Sequence, residues 1–162
     1  MPIIHIRIDD RLIHGQVAAF WCNSLNANRI MVANDEVAKD EMQKSLLRMV
    51  APSGVRTSII TKEMAAKNLA AGKYDNERVL LILKSPKDAL ELMEMGVDIT
   101  LINVGNMAHH DGTIQIKKSI NVSREDIESF ERLNEKGVKL TSIMVPDEPR
   151  SNLMDYLKKA QK

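Results

Sequence analysis

The residues best suited to chemistry are gathered early in the chain, in Asp9-Asp10-Arg11-Leu12-Ile13-His14-Gly15-Gln16-Val17. Two carboxylates, a guanidinium and an imidazole share this stretch, with a glycine directly after the imidazole. Before it, Pro2 to Ile8 reads as a strand with Ile4, Ile6 and Ile8 on one face, and after it Val17-Ala18-Ala19-Phe20-Trp21 reads as the opening turns of a helix. A loop that leaves a strand and enters a helix presents unpaired backbone N–H groups and the positive end of the helix, which together suit an anion. Leu12, Ile13, Gly15, Gln16 and Val17 carry N–H groups of this kind, and Arg11 adds a planar fork matched to phosphate oxygens. An imidazole is neutral near pH 7 and is a tolerable leaving group, so His14 in this setting points to transient phosphoryl transfer, in which positioning and electrostatics do most of the catalysis. Nothing in this set of residues calls for a metal or a cofactor.

A plainer reading stands beside this one. A histidine in such a loop can simply be solvated, Arg11 can be a surface charge, and Asp9 and Asp10 are residue types that commonly make turns and helix caps. If functional, one of the two aspartates could accept a hydrogen bond from His14 and fix its tautomer. Both alternatives stay open at the level of sequence.

The elements that must position this loop alternate along the chain. Arg29 to Ala33 reads as a strand. Asn34 or Asp35 then caps a helix running to about Val50, with Val37, Met42, Leu46, Leu47 and Val50 forming its apolar face, and Pro52 and Gly54 close it. Val55 to Ile60 is a strand, and Thr61 caps a short helix ending at Gly72. Val79 to Leu83 is apolar throughout, as expected of a strand covered on both faces. Ser85 and Pro86 start a helix that stops at Gly96. Asp98 to Val104 is a strand, Gly105 to Gly112 a loop, Ile114 to Ile116 is extended, and a short strand lies near Ile120. Ser123 to Asp126 has the spacing of a capping box before a helix ending ahead of Gly137. Val138 to Val145 is a last strand and Pro149 begins a terminal helix. This alternation predicts an α/β fold with an open, doubly wound, mostly parallel sheet and helices on both faces. Ligands of such sheets bind beyond the carboxyl ends of the strands, which makes Asn34, Asp35, Asn106, His109 and His110 candidate neighbours of His14.

Composition sets outer limits. The length of 162 residues suits one domain, residues 1–162, and 44% hydrophobic with 28% charged residues is an ordinary balance for a water-soluble protein. A net charge of +1 argues against nucleic acid as a partner. Apolar runs such as Val79 to Leu83 are far too short to span a bilayer, and charges at Arg7, Asp9, Asp10 and Arg11 interrupt any signal-peptide pattern. Cys22 is the single cysteine, which rules out an internal disulfide, and its apolar helix face predicts a buried, inert thiol. A cytoplasmic location follows. His109-His110-Asp111 fails as a metal site, because adjacent side chains diverge and no nearby Cys or Glu completes a ligand set. It reads instead as a loop that contacts a partner or the phosphoryl group, or as plain solvent-exposed chain. His5, inside a strand, reads as structural.

The run from Arg7 to Val17 resembles the active-site loop of the IIB components in the mannose/sorbose family of the bacterial sugar phosphotransferase system. The likeness continues through Val32 to Ala38, Ala51 to Val55 and Asn103 to Met107. It implies a protein-histidine phosphotransferase in which His14 accepts a phosphoryl group from a IIA component, with Arg11 holding it. His14 then passes the group to a sugar bound by membrane IIC and IID components, with this chain peripherally associated with them. The stretch Gly105 to His109 resembles members assigned to N-acetylgalactosamine; mannose, sorbose and fructose remain open. The rival from another class is a non-catalytic phosphate- or nucleotide-binding regulatory module, against which the missing G-x-G-x-x-G and P-loop patterns count.

Overall fold

The computed structural model describes residues 2–161. In chain order its elements are β1 (Ile3–Asp9), α1 (Gly15–Leu25), β2 (Arg29–Ala33), α2 (Asp35–Ala38), α3 (Glu41–Val50), β3 (Arg56–Ile60), α4 (Lys62–Ala70), β4 (Val79–Leu83), α5 (Pro86–Glu94), β5 (Leu101–Asn106), β6 (Ile114–Lys117), β7 (Ile120–Val122), α6 (Arg124–Glu135), β8 (Lys139–Thr141) and α7 (Leu153–Ala160). Six strands form one sheet in the order β3-β2-β4-β1-β5-β8, parallel at every pairing, while β6 and β7 make a separate antiparallel pair.

Strand parity divides the apolar residues between two cores. Leu80 and Ile82 of β4 and Ile30 and Val32 of β2 pack with Ala18, Trp21 and Cys22 of α1 and Leu47 of α3. Val79, Leu81 and Leu83, with Met31 and Ala33, pack on the other face against α4, α5, α6 and α7 through Ala65, Leu92, Phe130, Leu133 and Leu157. Helices therefore cover both faces, as the alternation predicts. In the middle of this sheet β1 has β4 on one side and β5 on the other, and with helices over both faces even Arg7 and Asp9 are buried. Cys22 is buried as well, and burial pushes its thiol up to about 11.

The structure corrects several boundaries. The helix expected up to Val50 is two helices: Asn34 caps α2 by accepting from the Val37 N–H, and Asp40 opens α3 by accepting from the Gln43 N–H. Its expected apolar face does not face the core. Val37 and Leu47 are buried, but Met42 and Leu46 are 76% and 56% exposed, with Met49 at 79% and Val50 at 46%. In β1 a register irregularity between Ile3 and His5 turns Ile4 away from Ile6 and Ile8, so it packs against the opposite core. Strand β5 starts later than Asp98 and runs on through Asn106, and Met107 bridges to Ile120, so the expected 105–112 loop is shorter. The last strand stops at Thr141, not Val145, and α7 starts at Leu153 behind an Asn152 cap, not at Pro149. The Ser123–Asp126 capping box is present, with both reciprocal bonds formed.

After Thr141 side chains take over much of the work of strand pairing, Asn103 foremost, beside a backbone bond from the Ser142 N–H to the Ser151 carbonyl. Asn103, fully buried in β5, accepts from the Thr141 hydroxyl and the Ile143 N–H, each at 2.9 Å, and donates to the Ile143 carbonyl at 2.9 Å. It thereby holds the 141–144 segment beside β1. Asn103→Ala removes all three bonds and leaves the buried Ile143 N–H without a partner, while the Ile143 carbonyl keeps Arg7, so it should lower unfolding free energy by about 2–3 kcal/mol in denaturant titration. Amide exchange at Ile143 should accelerate before exchange in β4 does.

Candidate functional site

At the carboxyl end of β1 the chain turns sharply. The Leu12 N–H donates to the Asp9 carbonyl at 2.9 Å, and Leu12 lies in the left-handed region with φ 63°. That conformation is unfavourable for a leucine. It is held because Leu12 and Ile13 are both buried in the α1 core. With those two side chains fixed inward, His14 emerges exposed as the N-cap of α1, in extended conformation, and its own side chain makes no capping bond. Among the described residues no side chain caps the first turn, Gly15 to Val17, and none in it is acidic. Its N–H groups therefore remain available to an anion at the position of the His14 ring. The Leu12 N–H, spent in the turn, drops out of the set expected to hold a phosphoryl group.

Asp9 organises the loop from below. Its carboxylate is 1% exposed. Oδ1 accepts from the Arg11 backbone N–H at 3.0 Å and from Arg11 Nε at 2.9 Å, and Oδ2 accepts from Arg11 Nη2 at 2.8 Å. Arg7, 2% exposed, donates more loosely to the same Oδ2 from Nε and Nη2 at 3.4 Å. The closer partner is Arg11, whose pKa its hydrogen bonds to Asp9 push up; burial is the main influence on Arg7 and pulls its pKa down. Arg7 also donates from Nη1 to the Ile143 carbonyl at 3.3 Å, lies 5.5 Å from the Trp21 ring centroid, and fills the space over Gly105. A Cβ at Gly105 would fall 2.0 Å from Arg7 Nη2, so a side chain there and the buried guanidinium exclude each other.

Asp10 ties the loop to its neighbour across the sheet. It accepts from Asn106 Nδ2 at 2.8 Å and from the Ala108 N–H at 2.6 Å, and its own N–H donates to the Asn106 carbonyl at 3.1 Å. The 105–112 segment thus lies beside the His14 loop, as parallel strands sharing one edge require. His109 and His110 are exposed and turn on Thr113, which bonds to the His109 ring at 3.1 Å and to the His110 carbonyl at 2.7 Å. Asn34 is a buried helix cap, and exposed Asp35 accepts from the Lys62 N–H. Lys62 itself is gripped by Asp88 and Glu91. Among the described residues neither Asp9 nor Asp10 is hydrogen bonded to the His14 ring; their oxygens serve Arg7, Arg11, Asn106 and Ala108.

Sequence reading gave no role to Arg7, Asn103, Gly105 or Met144, whose sulfur lies 3.3 Å from Arg7 Nη2 and 3.7 Å from Arg11 Nη2. One signal for Arg7 was available: a charge inside an apolar strand with the Asp9 carboxylate two residues on, hence on the same face of the strand. His5 is structural, as expected. It stacks on Trp21 with centroids 4.6 Å apart, and Trp21 donates from Nε1 to the Met144 carbonyl.

A parallel α/β sheet with a histidine exposed at an uncapped helix start is an arrangement in which an anion could sit beside an imidazole. The chain belongs to the family described as PTS system sorbose subfamily IIB component, which matches residues 3–162. It is 42% identical over 156 residues to the mannose-specific EIIAB component of the PTS in Escherichia coli (strain K12), spanning 96% of this chain but 48% of that protein. It therefore covers about half the length of that relative. With the fructose-specific EIIB component of Bacillus subtilis (strain 168) it shares 38% identity over 162 residues, covering 99% of that protein. The crystal structure of the IIBSor domain of the sorbose permease from Klebsiella pneumoniae superposes with a TM-score of 0.93 at 37% identity, over 98% of each chain.

Burial holds His5 neutral, with its pKa lowered to about 4 from 6.5; nearby Arg7 and Arg150 add to the effect. The unfolded chain therefore binds more protons between those values, and stability should fall as pH drops from about 6.5 to about 4. His5→Phe, which keeps the stack on Trp21, should lose less over that window. The stability difference between variant and wild type should shift in favour of the variant by about 3 kcal/mol in denaturant titrations across the range.

Proposed function

We propose that residues 1–162 act as one IIB domain that takes a phosphoryl group from a phosphorylated IIA protein onto His14 and gives it to a sugar held by membrane IIC and IID components. The observation carrying this reading is His14 itself: exposed, uncommitted, and set at the head of α1 where N–H groups converge without an opposing acid. A neutral ring nitrogen of His14 attacks phosphorus while the donor's nitrogen–phosphorus bond breaks. In the second step a sugar hydroxyl oxygen attacks phosphorus as its bond to the His14 nitrogen breaks, the imidazole leaves neutral and the hydroxyl proton passes to solvent. The equatorial oxygens are held by the N–H groups of Gly15, Gln16 and Val17 and by Arg11. Arg11 engages Asp9 through Nε and Nη2 and keeps its Nη1 edge for the phosphoryl group.

In this reading Asp9 and Asp10 are positioning residues: Asp9 aims Arg11, and Asp10 fixes the Asn106–Ala108 turn beside the loop. The protein works at the cytoplasmic side of the membrane through its partners; among the described residues no helix is long and apolar enough to cross a bilayer. The sugar is of the type handled by the relatives, with mannose, fructose, sorbose and N-acetylgalactosamine as the candidates.

Arg11→Ala should slow phosphoryl transfer from phosphorylated IIA by about 10²-fold, the usual loss on deleting one donor to a developing oxyanion. Arg11→Lys should recover only part of the rate, because a point charge does not reproduce the fork. The label on the wild-type protein should be lost in acid and kept in base, as a phosphoramidate requires. Rapid-quench transfer assays read both. Wild-type rates in Arg11→Ala would remove Arg11 from the site.

A further inference from the structure

We propose that the exposed apolar stripe of α3 is the docking surface for the IIA protein that delivers the phosphoryl group. The inference rests on the function proposed above and names where its first partner binds. Met42, Leu46, Met49 and Val50 recur at helical spacing and all stand outward, between 46% and 79% exposed, while Leu47 anchors the opposite face in the α1 core. Single exposed apolar residues are ordinary; a row of four on one helix face marks an interaction surface.

The stripe is continuous with the site. The Val50 carbonyl lies 3.6 Å from where a Cβ on Gly15 would sit, so the carboxyl end of α3 abuts the residue that follows His14. Transfer between two imidazoles requires the donor ring to touch the His14 ring. The donor protein must therefore cover the ground around His14, and the end of α3 is part of that ground.

Two other occupants fit less well. A second copy seated on the stripe would crowd the ground beside Gly15 and compete with any phosphoryl donor for it. A component presenting a polyhydroxylated sugar needs polar ground, and that lies elsewhere. A cleft of about 410 Å³ opens beside Asp10, lined by Lys84, Ser85, Ala108 and His110 and by Asp88 and Asp126 of α5 and α6, helices of the opposite face. That cleft is polar where the α3 stripe is apolar, which suits it to a sugar rather than to the IIA surface. The unbranched, adaptable methionines suit an encounter that must form and release quickly.

The test is the double variant Leu46→Asp, Met49→Asp, whose sites are exposed and whose thermal stability should match wild type. With phosphorylated IIA as donor, KM should rise by about tenfold or more while kcat stays near wild type, as expected on losing central apolar contacts of an interface. Labelling of His14 by phosphoramidate, a small donor that needs no docking, should be unchanged. Sugar phosphorylation by the pre-labelled variant, with membranes carrying IIC and IID, should also be unchanged. An unaltered KM overturns the proposal, as does a defect confined to the sugar step, which assigns the stripe to the membrane components. A wild-type dimer that the variant abolishes overturns it in favour of a second copy. If neither donor labels wild-type His14, the function proposed above falls and the docking surface with it; a labelled wild type with an unaffected variant sinks the docking surface alone.

Discussion

Everything at the carboxyl edge of the sheet depends on one buried carboxylate. Asp9 ends the central strand at 1% exposure, where an unpaired charge would be prohibitively costly. Two guanidiniums resolve this, Arg11 from the loop above at 2.8 Å and Arg7 from the strand below at 3.4 Å. Breaking a buried pair by removing one partner generally costs about 3–5 kcal/mol, because the other charge is left stranded. The requirement spreads outward. Arg7 needs room, which the missing side chain of Gly105 provides, and acceptors, which the Ile143 carbonyl supplies. That carbonyl is in turn held by Asn103. A charge at the end of β1 thus fixes residues on β5 and on the segment after β8.

The loop above inherits this rigidity. Asp9 fixes both the backbone and the side chain of Arg11, Leu12 accepts a left-handed conformation, and Ile13 is buried beside it. A displayed histidine on a flexible loop would have to be ordered at each transfer. Here the ordering is built into the folded state, and the N–H groups of the first turn of α1, directly after His14, are left without a side-chain cap. Asp10 extends the same order to Asn106 and Ala108, which makes the adjacent turn part of the site's frame.

The parallel α/β architecture was legible because its signals are local and redundant. Val79 to Leu83 is apolar without interruption, Ser85-Pro86 starts a helix, and Ser123 with Asp126 caps one. The loop bearing His14 was equally legible, since residue types and a strand-to-helix junction suffice to suggest it. What sequence did not reveal depends on long-range packing. Periodicity showed that α3 is amphipathic but not which side would be covered, and Met42, Leu46 and Val50 proved to face out. Asp40 was one polar residue among several until its carboxylate was seen to cap α3. The segment after Thr141 has strand-like composition, yet its partner is the Asn103 side chain, a contact between residues 38 to 40 positions apart. Arg7 drew no role from sequence; helices packed on both faces of the sheet leave β1 no solvent face, and that coverage is a tertiary fact.

The central claim is that His14, among the histidines at 5, 14, 109 and 110, is the one that carries the phosphoryl group. His5 is half-buried and stacked on Trp21, and His109 and His110 sit in a turn closed on Thr113, away from the head of α1. The most direct measurement is to mix the protein with phosphorylated IIA, quench in base and locate the label by mass spectrometry. The account predicts one phosphoryl group, on the peptide containing His14 and absent from His14→Ala. Label on His109 or His110, or label that survives in His14→Ala, would contradict it.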